Sequence, residues 1–292
     1  MKLIYYITSA LIFGFFISAC SDGIEAPEPV NDEAIIEQFI ADNNLNATKS
    51  DEWGVYYVEL EPGTGEQVER TSIVEVDYEN ALLDGLVISR DSSYVFVPEE
   101  YSFIQGIARG ALTMKEGGKS LVIIPSQYAY GAGSGTLNGV FVPANSVLQS
   151  TITVKDIRTE EEQLIVEELA IEDYLVEQQL DSNAFFLTDG VFKSVITEGD
   201  IQRSTPTEGS NVQIAYQGSF LDGTTFDNSE NAQFTLTPGS LINGFYEAVL
   251  SMRIDEEAIF AMTSDQAYGA KGTTGIDPFT PLVFRIRLIN HN

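Results

Sequence analysis

The sequence predicts an α+β fold made twice: two similar units, each an antiparallel sheet curled around one short helix. Three observations predict it. A set of short motifs recurs at one constant offset along the chain. Within each unit, several short segments alternate apolar and polar residues, the period of a strand with one face buried. Each unit also holds a single stretch with helical spacing, and an acidic amphipathic segment precedes it.

The repeat is the firmest of these. Val76-Asp77-Tyr78 returns as Ile214-Ala215-Tyr216, and Leu83-Asp84-Gly85 as Leu221-Asp222-Gly223. Ile104-Gln105-Gly106 returns as Ile242-Asn243-Gly244, and Met114 as Met252. Ala129-Tyr130-Gly131-Ala132 returns as Ala267-Tyr268-Gly269-Ala270. All five pairs stand 138 positions apart, an offset that chance does not hold through five matches. The repeat bounds a first copy at 49–158 and a second at 184–292. Between them, 159–183 carries Ile165, Leu169, Val176 and Leu180 at helical spacing and contains no Gly or Pro, which predicts an amphipathic helical linker. Residues 32–43, with Ile35, Ile36, Phe39 and Ile40, predict a similar helix before the first copy.

Inside the second copy, Val212, Ile214 and Tyr216 alternate along a strand over 211–218. Leu221-Asp222-Gly223 reads as a hairpin turn. A short strand is expected over 234–237, the helix over 240–250, and two further strands over 258–263 and 282–289.

The amino terminus reads as an address. Lys2 is followed by an apolar run from Ile4 to Ala19, short for a membrane span. It ends Ile17-Ser18-Ala19-Cys20, which resembles the bacterial lipobox, so residues 1–19 are expected to be a signal peptide and Cys20 the lipidated residue of the mature chain. Residues 20–48 then supply a tether and the short helix. The implied location is the cell envelope, with the protein anchored to a membrane through lipid on Cys20.

Composition narrows the chemistry. With 15 Lys+Arg against 44 Asp+Glu, the net charge is −29, which argues against nucleic-acid partners. One Cys and one His exclude an internal disulfide, and they argue against a Cys-rich or His-rich metal site and a Ser-His or Cys-His couple. No segment has the alternating ligands of a calcium loop, and Gly131 to Gly139 lacks the Lys-Ser or Lys-Thr of a phosphate-binding loop. No metal and no cofactor is expected.

Five segments of the second copy, in order and spacing, resemble the FKBP-type peptidyl-prolyl isomerases: Tyr216-Gln217-Gly218, Leu221 to Asp227, Leu241 to Phe245, Ala267 to Ala270, and Leu282-Val283-Phe284. The resemblance implies a proline pocket between sheet and helix, walled by Tyr216, Phe226, Asp227, Leu241, Ile242, Phe245, Tyr268, Ile276 and Phe284. It implies that the Ile242 N–H and the Tyr268 hydroxyl hold substrate carbonyls. It also implies that proline-containing, unfolded or partly folded polypeptides are the partners. The second copy departs from the family at Ala232 and Gln266, where aromatics are usual, and carries Phe245 where many members have Trp.

The first copy keeps the frame, with Tyr78, Tyr94, Phe103, Ile104, Tyr130 and Val142 as a weak substrate surface. It loses chemistry: Ile88-Ser89 replace the Phe-Asp pair, Ile107 replaces the helix aromatic, and Ser150 replaces the last-strand Phe. Isomerase activity is therefore expected mainly in the second copy. A non-catalytic chaperone or binding module, and a structural subunit of an envelope secretion or gliding assembly, are the alternatives.

Overall fold

A computed structural model describes residues 31–100 and 104–292. The expected signal peptide, Cys20 and most of the tether lie outside these residues, as does Phe103. Helix α1 spans Asp32–Asp42. The first copy then runs through β1 (Thr48–Ser50), β2 (Val55–Glu61), β3 (Ile73–Leu82), β4 (Val87–Phe96), α2 (Gln105–Ala111), β5 (Lys119–Ile124), β6 (Gly135–Leu137), β7 (Val140–Val142) and β8 (Leu148–Arg158). Helix α3 spans Glu160–Glu177. The second copy follows with β9 (Ala184–Thr188), β10 (Val191–Thr197), β11 (Asn211–Ser219), β12 (Thr225–Thr235), α4 (Asn243–Leu250), β13 (Glu257–Met262) and β14 (Leu282–His291).

Each copy forms a six-stranded antiparallel sheet, in the orders β1-β2-β5-β8-β3-β4 and β9-β10-β13-β14-β11-β12. Strand for strand, the two orders are the same topology. The α+β class and the doubled unit expected from the sequence are both present.

Both faces of each sheet are covered. Val55, Val122 and Ile124 point to the side where α2 packs, in one core with Ile104, Ile107 and Ile152. Their neighbours Tyr56 and Ile123 point to the opposite face, where they meet Ile36 of α1. The second copy repeats the alternation. Val191, Phe260 and Met262 join the α4 core, while Phe192 and Ala261 meet Ile171 and Leu175 of α3. Successive side chains of a strand face opposite ways, so a strand covered on both sides is apolar nearly throughout. The helices before each copy are thus the outer layer of the following sheet. Ile36 and Ile171 are fully buried there, each contributing about 1.5–3 kcal/mol.

Local chemistry sets the ends of α3. Thr159 caps it: its hydroxyl accepts the Glu162 N–H, and the Glu162 carboxylate accepts the Thr159 N–H in return. Three acidic residues occupy the first turn, where the helix dipole favours them. The segment after it closes in a short 3-10 turn, Asp181–Asn183.

Two details depart from the sequence reading. The short strand expected over 234–237 is the end of β12, which runs eleven residues and pairs with β11 along its length. The Gly-rich loop of the first copy is a hairpin: Asn138 and Gly139 turn at positive φ (49° and 82°) between β6 and β7. Asn-Gly is the residue pair such a turn favours, because both positions need φ above zero. The hairpin reaches β4, where the Asn138 amide donates to the Ile88 carbonyl at 3.0 Å, and Leu137 and Val140 pack on the first core.

Candidate functional site

The second copy holds a cavity of about 620 Å³ between the β11–β12 end of its sheet and α4. Tyr216 and Phe284 enter from adjacent strands, since β11 and β14 pair with Gly218 opposite Phe284. Phe234 and Asp227 come from β12, and Leu241, Ile242 and Phe245 from the entry and first turn of α4. Asp265, Ala267 and Tyr268 come from the turn after β13.

Phe245 is the hub of this lining. Its ring stands edge-on to Tyr216 at 5.6 Å and to Phe284 at 5.0 Å, with Phe234 at 6.4 Å. Edge-to-face contacts lock the rings at fixed angles, so the walls are rigid and apolar. Tyr216 donates its hydroxyl to Asp227 Oδ2 at 2.7 Å across the β11–β12 pair. Burial is the main cause that pushes the Tyr216 phenol up to about 12, with the Asp227 bond and charge adding to it. The phenol therefore remains a neutral donor at physiological pH.

Ile242 precedes the first turn of α4 with extended backbone, φ −60° and ψ 143°. No acceptor among the described residues takes its N–H, and Ile242 lines the cavity. Tyr268 is 38% exposed and stands at the rim.

Of the nine expected residues, seven line this cavity: Tyr216, Asp227, Leu241, Ile242, Phe245, Tyr268 and Phe284. Phe226 stands behind the lining, edge-on to Phe284 at 5.7 Å, and supports it. Ile276 is 5% exposed, packs in the second core and borders the crevice toward the first copy rather than this cavity. Sequence reasoning missed Asp265 as a lining residue, although its position three residues before Tyr268 was a usable signal.

The first copy is built differently at the same place. Tyr78 and Tyr94 stack edge-on at 5.8 Å and are 8% and 9% exposed. Ile104 is fully buried, whereas its counterpart Ile242 is partly open. Val142, at the end of the hairpin's second strand, is 1% exposed and packs in the first core. Tyr130 is half-buried, and that burial raises its phenol. Where the second copy has Gly218, Phe226 and Phe284, the first has Asn80, Ile88 and Ser150, with the Asn80 amide donating to Ser89 at 3.1 Å.

Tyr78 and Tyr94 instead face a crevice of about 790 Å³, shared with Lys271 and the Thr273-to-Pro278 loop of the second copy. Burial and the charge of Asp91 both raise the Asp277 carboxyl there, burial the more strongly. Among the described residues, no cluster of His, Cys, Asp and Glu is arranged to hold a metal ion, and no helix is long and apolar enough to cross a membrane.

The chain is similar in sequence to known proteins. FK506-binding protein 1 of Dictyostelium discoideum is 36% identical over 105 residues, covering 34% of this chain and 96% of that one. Mouse peptidyl-prolyl cis-trans isomerase FKBP9 is 30% identical over 229 residues, 75% of this chain, which spans 35% of the mouse protein's length. Among solved structures, the three FKBP domains of wheat FKBP73 align with 84% of this chain at 22% identity and a TM-score of 0.36. The profile of the FKBP-type peptidyl-prolyl cis-trans isomerases matches residues 64–155 and again 202–289, and the chain belongs to that family, with two of its domains in tandem.

Proposed function

We propose that the second domain is the working isomerase of this chain and that the first, which lacks the Phe-Asp pair and the helix and last-strand aromatics, holds rather than turns over. The observation that carries this is the aromatic cavity around Phe245, with the Tyr216–Asp227 pair on one side and the unpaired Ile242 N–H on the other. A peptide bond resists rotation by about 18–20 kcal/mol because resonance gives it double-bond character. At the twisted transition state that resonance is lost and the amide is less polar. A water-poor, apolar pocket therefore favours the transition state over the planar ground state. The proline ring sits against Phe245, Phe284 and Tyr216. The Ile242 N–H and the Tyr268 hydroxyl hold the flanking carbonyls, so rotation is confined to the one bond. No proton transfer or covalent intermediate is needed, consistent with a site lacking His and Cys.

The clients are proline-containing polypeptides that are unfolded or partly folded, met outside the cytoplasm by a protein tethered to the membrane through lipid on Cys20. The loss of the Phe-Asp pair and of two aromatics favours a holding role for the first domain, as in a chaperone or an envelope assembly subunit.

The test is the cis-to-trans rate of a short Xaa-Pro peptide with the full chain. Asp227 is exposed, so Asp227→Ala leaves the fold intact; with Phe245→Leu it is expected to lower kcat/KM about tenfold, some 1.4 kcal/mol of transition-state binding. Tyr130→Phe in the first domain is expected to leave the rate unchanged. Equal losses from Tyr130→Phe and Asp227→Ala would remove the assignment to the second domain. Anchoring is tested separately: Cys20→Ser is expected to move the protein from the membrane to the soluble fraction.

A further inference from the structure

Ser126 and Ser264 occupy corresponding positions, each opening the short 3-10 turn that leads to its domain's Tyr130 or Tyr268. Each is gripped by a carboxylate from the helix that precedes its own sheet. Asp32, the first residue of α1, takes the N–H and the hydroxyl of Ser126, both at 2.8 Å. Glu167, in the second turn of α3, takes the N–H of Ser264 at 2.6 Å and its hydroxyl at 2.9 Å. A third donor, the Gln163 amide, reaches Glu167 at 2.9 Å.

We propose that Glu167 is a positioning residue for the second domain's pocket, holding the turn that carries Asp265, Ala267 and Tyr268 into it, so that α3 belongs to the catalytic unit. The proposal rests on that pocket being the isomerase site. Glu167 is 2% exposed, and burying a carboxylate costs several kcal/mol unless directed donors compensate it. A helix that merely spaced two domains would pack more cheaply with an apolar residue here. The same contact arises in the first domain from a different acid at a different helical position, so it is a repeated solution.

The grip continues in both directions. Beyond Ser264, the Gln266 side-chain Oε1 accepts from the Asn243 side-chain amide at 2.6 Å, tying the turn to the first residue of α4 beside Ile242. Upstream, the Gln163 side-chain Oε1 accepts from Arg158 at 3.0 Å, and Arg158 is paired with Glu75 and with Asp156. A continuous polar line, Glu75–Arg158–Gln163–Glu167–Ser264, therefore runs from the first sheet to the rim of the second pocket.

The experiment measures kcat/KM on an Xaa-Pro peptide with the full chain, and amide exchange over 264–268. Glu167→Ala leaves the Ser264 N–H without its acceptor; a loss of about tenfold in kcat/KM and of exchange protection in that turn is expected. Glu167→Gln keeps an oxygen for that N–H and is expected to recover most of the rate. Leu175→Ala, on the same helix but packed on Phe192 and Val283, is the stability-matched control and is expected to retain the wild-type rate below its melting temperature. A full rate in Glu167→Ala with the unsubstituted chain active, or an equal loss in Leu175→Ala, would overturn the proposal. If the unsubstituted chain does not accelerate the reaction, the isomerase assignment falls instead. Exchange protection lost in Glu167→Ala but kept in Leu175→Ala then decides whether the turn is held as described.

Discussion

Tyr94 of the first domain and Ala232 of the second stand at one register position: Tyr94 pairs across from Val76, and Ala232 across from Ile214. A phenol ring fills in one copy the space that a methyl group leaves open in the other. Tyr94 packs edge-on against Tyr78, and its counterpart borders the 620 Å³ cavity. Two domains with the same topology thus differ in side-chain volume at matched positions of the site.

Ala232→Phe is expected to add an aromatic wall to the second pocket. An added ring face covering part of a bound proline peptide is worth about 1 kcal/mol, or roughly fivefold in affinity. Calorimetric titration with an Xaa-Pro peptide measures it; weaker binding would mean the open wall is needed to admit the chain.

The Tyr216 phenol is pushed up to about 12, first by burial and then by Asp227, and the Tyr78 phenol is likewise pushed up to about 12, mainly by burial. Both lie above the unfolded value of about 10. The unfolded chain therefore loses these protons first. Their contribution to stability is complete below pH 10 and is lost as the pH rises toward 12. Urea denaturation at stepped alkaline pH is expected to show this fall, and Tyr78→Phe to flatten it. Asp227→Ala is expected to lower the Tyr216 value, read by ultraviolet titration of the phenolate.

Gly218 is a strand residue whose missing side chain makes room for the aromatic cluster. A Cβ there would stand 2.7 Å from Phe226 and 2.8 Å from Phe284. Gly218→Ala is expected to displace both rings, costing about 1–3 kcal/mol of stability and lowering kcat/KM. The first domain accommodates Asn80 at this position because Ser150 and Ile88 replace the rings. Thermal melting with parallel kinetics checks the pair of effects; an unchanged rate would show that Phe284 need not be fixed.

Lys193 and Glu256 form an ion pair at 2.6 Å with side chains 6% and 5% exposed. Lys193 also donates to the Ser251 carbonyl and hydroxyl, both at 3.1 Å. Glu256→Ala strands a buried ammonium and is expected to cost about 3–5 kcal/mol, whereas the double change Lys193→Met with Glu256→Leu is expected to be near neutral. Chemical denaturation of the three variants tests this; a mild Glu256→Ala would mean water reaches the ammonium.

Much of this was legible in the chain. The offset between Tyr78 and Tyr216 announces two copies, and the alternation of Val212, Ile214 and Tyr216 announces a strand. Leu221-Asp222-Gly223 announces a turn, and the aromatics spaced from Tyr216 to Phe284 announce a pocket. These signals are local, or recur in order, because a strand's period and a turn's φ are imposed by immediate neighbours.

The sequence by itself therefore determined the doubled α+β fold and which copy keeps the aromatic set. Only the tertiary structure decided which residues open onto the cavity, leaving Phe226 and Ile276 off its lining and Asp265 on it. It also decided that α1 and α3 are the outer layers of the sheets. Glu167 looks in the chain like one more solvated acid of an acidic helix, since its partner Ser264 lies 97 residues away. Packing α3 onto β10 and β13 removes water from that one carboxylate, and a buried charge must then take the donors that the neighbouring turn supplies.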